Sequence, residues 1–364
     1  MSGRGGQDGL IRARSGGCDP ALLAEWVAGC GFDAASYLDC NEDLRAAGYD
    51  VPGALAHFLT HGYDEARQFT AGLVGDGLAA VTPPDAAYRR RLVRSLYLGQ
   101  LRHPGSPARL WAGIDPGLPD LLRRQGGLPY VVIGDSHTNH YIQHAIEGET
   151  WLAALPLLCR GASARALGWA GSREPFGLRI MRWAASARGL DVPVFLKFGG
   201  IDAEFLWIRA RLRAGATDFP QDAYRDYAAE AVRRYGQFID ALGGTIGFGR
   251  LMVCAVFPTV LTDDAWAGAF GEAFGPEMAA LAAGVAVPNM RARTLMRAAF
   301  NTALRAMCAA RGLRFVDDFT PLLDEAGVLD VRFRQGTGAA ARHVDHAASA
   351  SVMSAVIWGA LGGS

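Results

Sequence analysis

The chain has 364 residues, half of them hydrophobic and a fifth charged, enough to bury one large core and a smaller one. Thirty-six basic residues balance thirty-six acidic ones, which excludes both a nucleic-acid binder's basic surface and the highly charged composition of a disordered chain. The six cysteines (Cys18, Cys30, Cys40, Cys159, Cys254, Cys308) form no Cys-x-x-Cys pair, which sets aside zinc ribbons and thioredoxin-type redox sites.

Residues 1–17 are rich in Gly and Arg and are expected to be disordered, with no apolar core of the kind a signal peptide needs. No run approaches the roughly 18 apolar residues of a membrane span, so the expectation is a soluble cytoplasmic protein. Residues 18–71 carry a helical pattern broken by glycines and form a small all-helical module. Its core is expected at Phe32, Tyr37, Leu38, Leu44, Ala54, Phe58 and Leu59. Residues 72–127 read as a linker, with one amphipathic helix in AAYRRRLVRSLYLGQL that packs on the main domain. From residue 128 short apolar runs alternate with helical stretches. The runs are YVVIG, LAALPLLC, VPVFLKFG, RLMVCAVF and LRFVDDF; residues 222–242 and 289–312 are the clearest helices. Runs apolar on both faces fit parallel strands, and the alternation predicts an α/β fold: a doubly wound parallel five-stranded sheet with its chemistry beyond the carboxyl ends of the strands.

The stretch YVVIGDSHTNHYIQHA, residues 130–145, carries the candidate site. Gly134 allows a sharp turn at the strand end, and a helix starting after Ser136 would point free N–H groups at the serine. Read locally, Gly-Asp-Ser is either a helix cap or a presented nucleophile. His137, His140 and His144 lie three and four apart, and HVDH near the end of the chain adds His343 and His346. Imidazoles with a carboxylate would suit zinc. However, no H-E-x-x-H glutamate is present and Glu147 is the only acid nearby, so neither a metal nor any cofactor is expected.

VVIGDSHTNHY resembles the first signature block of the SGNH/GDSL hydrolase superfamily, in the form that reads Gly-Asp-Ser-His. CRGASARALG, FLKFGGIDAEFLW and ARHVDHAASASVMSAVIWGAL resemble the later blocks and occur in the same order, over about residues 128–364. The resemblance implies an SGNH-like α/β/α domain with Ser136 as nucleophile and the Gly161 amide serving the oxyanion. It also implies a catalytic histidine before the final helix. Asp135, His137, Asn139, Gly200 and Asp202 would line the substrate side. His346 is favoured as base over His343, because its following residues run into the terminal helix.

Two positions depart from the family pattern. Ile201 stands where the Gly-x-Asn-Asp block has its asparagine, so a side-chain oxyanion donor is missing; Asn139 is a replacement candidate, and Asp202 is read as tying this loop to the serine turn. Asp-x-x-His is also absent, which leaves Asp345, a backbone carbonyl or nothing to orient the imidazole.

Residues 32–69 resemble a short module found beside glycosyltransferases and other surface-polysaccharide proteins. The matching positions are Phe32, Asp33, Tyr37, Leu38, Asn41, Asp43, Leu44, His57, Gly62, Glu65 and Arg67. Together the resemblances imply a serine-dependent esterase or O-acyltransferase acting on an acyl group, acetyl by preference, of a carbohydrate. Its partners would be an acylated sugar, an acyl donor and, for the module, a protein or glycan. Residues 259–290, with Trp266, Phe270 and Phe274, read either as a lid or as two packing helices. The alternative function is a catalytically degenerate carbohydrate-binding or scaffold protein.

Overall fold

The computed structural model describes residues 32–62, 110–143 except 115, 145–168 except 149, 175–334 and 343–362, with Ala24, Val27, Glu65 and Arg67 besides. The expected disorder of 1–17, the expected helix in 86–101 and His144 lie outside the described residues. Internal contacts divide the chain into two compact units, 1–109 with 120–126 and 110–119 with 127–364.

In the first unit, α1 (Ala34–Cys40) starts where Asp33 accepts from the N–H groups of Ala35 and Ser36 at 3.1 and 3.2 Å. After α2 (Glu42–Ala46), α3 (Val51–His57) is capped in the same way by Asp50, which accepts from Gly53 N at 2.9 Å; a π-turn, Phe58–Gly62, comes next. Tyr37, Leu38, Leu44, Ala54 and Phe58 are buried as expected, whereas Phe32 and Leu59 are only half-buried. The polar positions of the motif hold the module together. His57 Nδ1 meets Tyr37 Oη at 2.9 Å, and Arg67 donates to both oxygens of Asp43 at 2.8 and 2.7 Å. Burial pushes the His57 imidazole below its ordinary range.

The second unit is built on a six-stranded sheet: β1 (Gly127–Gly134), β2 (Ile146–Glu147), β3 (Thr150–Leu158), β4 (Val194–Lys197), β5 (Leu251–Cys254) and β6 (Arg314–Val316), in the order β2-β3-β1-β4-β5-β6. All five expected strands are present and pair in parallel. The two-residue β2 adds an antiparallel edge, too short to leave a pattern in the sequence. Every residue of β4 and β5 is buried, which is why these runs are apolar without alternation.

α4 (Gly117–Arg124) has residues 117–119 in this unit and 120–124 in the first; the described helices that follow are α5 (Phe176–Ser186), α6 (Trp207–Arg213), α7 (Gln221–Ile246), α8 (Asp263–Phe274), α9 (Pro276–Ala283), α10 (Met290–Ala309) and α11 (His346–Leu361). Met353 and Ile357 of α11 share one core cluster with Tyr130, Val132, Leu152 and Phe195. By strand alternation Val131 and Ile133 point to the other face, and α5 and α10 each pack on α7. Residues 259–290 contain two packed helices. Trp266 and Phe270 of α8 stack at 4.6 Å between ring centroids, and Phe205 lies 5.9 Å from each.

β1 pairs with β3 on one side and β4 on the other, so the chain changes winding direction at its carboxyl end. That is the crevice where open α/β sheets place their sites. Gly134 ends β1 there for a reason of space: a Cβ on it would lie 2.1 Å from the Lys197 carbonyl oxygen and 2.6 Å from Thr138 Oγ1. The Gly134→Ala substitution must separate β1 from β4. It is expected to cost about 3 kcal/mol or more, read as a lower urea midpoint at unchanged slope.

Candidate active site

Beyond Gly134 the chain does not enter an α-helix but a 3-10 turn, Ser136–Tyr141, so the three-and-four spacing of the histidines does not describe one helix face. Asp135 is its N-cap: Oδ1 accepts from His137 N at 2.9 Å and from the His137 ring, Nδ1, at 2.8 Å. Its Oδ2 accepts from Gly200 N at 3.3 Å, so Asp135, not Asp202, ties the third block to the serine turn. Burial works to raise the Asp135 pKa, but the His137 and Lys197 charges and the His137 N–H donors outweigh it and hold the carboxyl below the usual range.

Asp202 is fully buried and binds a different loop. It accepts from Ser163 Oγ at 2.6 Å, Ala164 N at 2.7 Å and Arg165 N at 3.4 Å, which corrects the expected tie to the serine turn. Burial raises its pKa, and these donors oppose that only in part. The loop it secures leaves β3 through a turn closed by Ala162 N to Cys159 O at 3.0 Å, with Gly161 left-handed at φ 72°. Gly161 is exposed, and its N–H has no acceptor among the described residues. The Ser136 N–H, first in the 3-10 turn, likewise has no acceptor within it.

The structure places His343, not His346, against the serine: His343 Nε2 lies 2.8 Å from Ser136 Oγ. The reversal has a local cause. Asp345 is the N-cap of α11, its Oδ1 accepting from Ala348 N at 2.8 Å, which makes His346 the first helical residue. His346 is exposed, with its ring 5.7 Å from that of His140. His343 lies in the extended segment before the cap, where Val344 bridges to Arg334. Asp345 therefore spends its carboxylate on the helix, not on an imidazole. Asn139 is exposed on the turn and makes no side-chain hydrogen bond among the described residues, while Ile201 offers no donor. The structure thus gathers Ser136, His343, Asp135, His137 and Gly200, and leaves His346, Asp345 and Asn139 outside that contact set.

His140 is buried against Phe257 at 5.2 Å between ring centroids, with Ser349 Oγ 3.5 Å from its Nδ1. Burial, followed by the neighbouring His137, His346, Lys197 and His343, lowers its pKa to about 2, so it stays neutral. Among the described residues no group of three or more His, Cys, Asp or Glu is placed to hold a metal ion. Burial raises the thiols of Cys254 and of Cys159, the latter to about 12, which fits inert core residues.

Two buried ionic groups went unrecognised in the sequence. Lys197, at the end of β4, has Nζ 2.6 Å from Asp318 Oδ2; it also donates to the Ala255 carbonyl and sits 3.5 Å from the centre of the Phe257 ring. Tyr141 Oη donates to the same Asp318 oxygen at 2.5 Å. Burial raises the Asp318 pKa against the opposing charge of Lys197. The second group joins Glu204 to Arg297 (2.9 Å from Nε) and to Thr259 Oγ1 (3.0 Å), with Arg297 Nη1 also donating to the Phe257 carbonyl at 2.7 Å. The only sequence signals were a lysine closing an apolar run and the Asp-Asp after β6.

No family model matches the chain, and no curated protein does. Among solved structures it is similar to a GDSL-like lipase from Bacteroides thetaiotaomicron, at 12% identity over 65% of this chain and 88% of that one, with a TM-score of 0.38. It is similar also to a lipase from a goat rumen metagenome, at 12% identity over 65% and 97% of the two chains, with a TM-score of 0.37. Among the described residues no helix is long and apolar enough to cross a membrane.

The buried His140 sets an acid limb on stability. Its pKa is lower folded than unfolded, so its contribution is intact above the unfolded value of about 6.5 and is lost as pH falls through it. Below that point this one group should remove about 1.4 kcal/mol of stability per pH unit. Urea unfolding at pH 7, 6 and 5 should show a slope shallower by that amount in His140→Gln.

Proposed function

We propose that the protein is a serine-dependent esterase or O-acyltransferase that works through an acyl-enzyme on Ser136. The observation that carries this reading is the 2.8 Å contact between Ser136 Oγ and His343 Nε2, made at the switch point of a parallel sheet. In acylation, His343 takes the Ser136 proton as Oγ attacks the ester carbonyl. The carbonyl oxygen is received by the N–H groups of Ser136 and Gly161, and His343 then returns the proton to the leaving alcohol. Water or a sugar hydroxyl accepts the acyl group in the second half of the cycle. A carbohydrate substrate, with acetyl as the acyl group, is supported by the resemblance of residues 32–69 to modules found beside glycosyltransferases.

Ile201 favours a second reading, a carbohydrate-binding scaffold that keeps the fold without full catalysis. Loss of a side-chain oxyanion donor costs roughly 10²–10³ in rate in serine enzymes. Incubation with a fluorophosphonate followed by intact mass separates the two. One adduct that is absent in Ser136→Ala and forms at least about 10³-fold more slowly in His343→Ala is the expected result. His346→Ala should label within a few-fold of the unaltered protein. No adduct on the folded protein overturns the enzyme reading and leaves the scaffold.

A further inference from the structure

A cavity of about 620 Å³ opens where the loop after β3 meets α5 and α7, and neither Ser136 nor His343 lines it. All of its described walls belong to the second unit, and its size is that of a site for a small molecule. The walls are chemically divided. Leu178 and Met181 of α5 and Phe238 of α7 form an apolar side, with Leu178 exposed at its edge. Arg165 from the loop and Arg233 and Arg234 from α7 form a cationic side, and no Asp or Glu lines the cavity among the described residues.

The arginines are held in place by the protein itself. Glu230, one helical turn earlier on α7, accepts from Arg233 Nε at 2.7 Å, from Arg233 Nη2 at 3.0 Å and from Arg234 Nε at 2.6 Å. Both guanidiniums are thereby anchored by their Nε edges. Arg233 Nη1 and both Nη groups of Arg234 make no hydrogen bond among the described residues. Arg165 is fixed through its main chain, since Asp202 accepts from Ser163 Oγ, Ala164 N and Arg165 N. Its guanidinium lies 5.7 Å from the centre of the Tyr227 ring and has no carboxylate partner among the described residues. The remaining wall has no slack: a Cβ on Gly177 would lie 1.7 Å from the Leu167 carbonyl oxygen, so α5 begins in direct contact with the loop.

We infer that this cavity binds a small molecule in which a phosphate is joined to an apolar group. Guanidinium forks match phosphate oxygens in pairs, and the free Nη edges of Arg233 and Arg234 offer that geometry. Glu230 offsets one of the three positive charges, and a phosphate close to dianionic at neutral pH balances the rest. The apolar side receives the attached group. Binding is read without catalysis, so this inference does not depend on the serine-enzyme reading above.

Isothermal titration calorimetry of the full chain with hexyl phosphate, inorganic phosphate and hexanol, at one fixed salt concentration, tests the inference. Hexyl phosphate is expected to bind, with inorganic phosphate and hexanol each at least about tenfold weaker. Arg165→Gln and Arg234→Gln should each weaken hexyl phosphate by about tenfold, while Arg291→Gln, on α10 outside the cavity, should stay within about twofold. Met181→Gln should weaken hexyl phosphate several-fold and leave inorganic phosphate unchanged. A preserved melting profile selects the variants that are read. Three results overturn the inference: no binding of hexyl phosphate to the unaltered protein, inorganic phosphate binding as tightly, or an equal loss in Arg291→Gln and Arg165→Gln. Sedimentation with phosphatidic-acid vesicles in the absence of hexyl phosphate binding overturns it in favour of a lipid surface. Fluorophosphonate labelling of Ser136 is unaffected by any of these results, so the two readings fail separately.

Discussion

A carboxylate taken out of water must be met by donors, and Asp135 is met by three, each belonging to a different part of the site. The His137 N–H starts the turn that presents Ser136, the His137 ring stands beside His343, and the Gly200 N–H brings in the loop after β4. Because Gly134 lets β1 and β4 approach until no Cβ would fit, the donors from the two strand ends reach one carboxylate. The turn, the imidazole and the neighbouring loop are therefore set by one group whose own position is fixed by the sheet. A second carboxylate, Asp202, does the same for the loop after β3 and so positions the Gly161 amide. Three successive strand ends, β3, β1 and β4, are joined through two buried acids.

The ionic groups beneath this layer have a different cost. Lys197 and Asp318 are both almost wholly inaccessible, and breaking such a pair by removing one partner typically costs about 3–5 kcal/mol. A hydrophobic pair of similar volume would serve stability as well. What an apolar pair would not reproduce is the set of bonds made: Lys197 reaches the Ala255 carbonyl and the face of Phe257, and Asp318 reaches Tyr141 in the last position of the serine turn. Phe257 in turn packs edge-on against both His137 and His140. The pair thus locks the floor on which the imidazoles stand. Glu204 with Arg297, and Asn301 bonded to both backbone groups of Val256, hold residues 256 and 257 from the side of α10.

Much of this was legible in the sequence, and the misses have physical reasons. β1, β3, β4 and β5 could be read because burial on both faces leaves nearly unbroken apolar runs, and a two-residue edge strand leaves none. The serine was legible because a strand, a glycine and a cap residue occur in a fixed order. The choice between His343 and His346 turned on where α11 begins. The rule that Asp caps helices, applied to Asp345, would have put His346 inside the helix and His343 in the segment before it. Lys197 and Asp318 were unreadable as a pair because they lie 121 residues apart, and nothing local marks a charge as buried.

The oxyanion site proposed for Ser136 and Gly161 depends on the same geometry. The amides of Ser136 and Gly161 are not spent on a neighbouring carbonyl among the described residues, and Ile201 carries no side-chain donor. Backbone donors cannot rotate away, so their orientation needs no reorganisation as charge develops, which is the source of their catalytic value. Their placement depends on the turn that Asp135 caps and on the loop that Asp202 holds. A side-chain donor at residue 201 would add to this pair but would not position it. An apolar side chain at Ile201 therefore bears on the rate that the proposed site would reach, while the two buried acids bear on whether these loops take their positions at all.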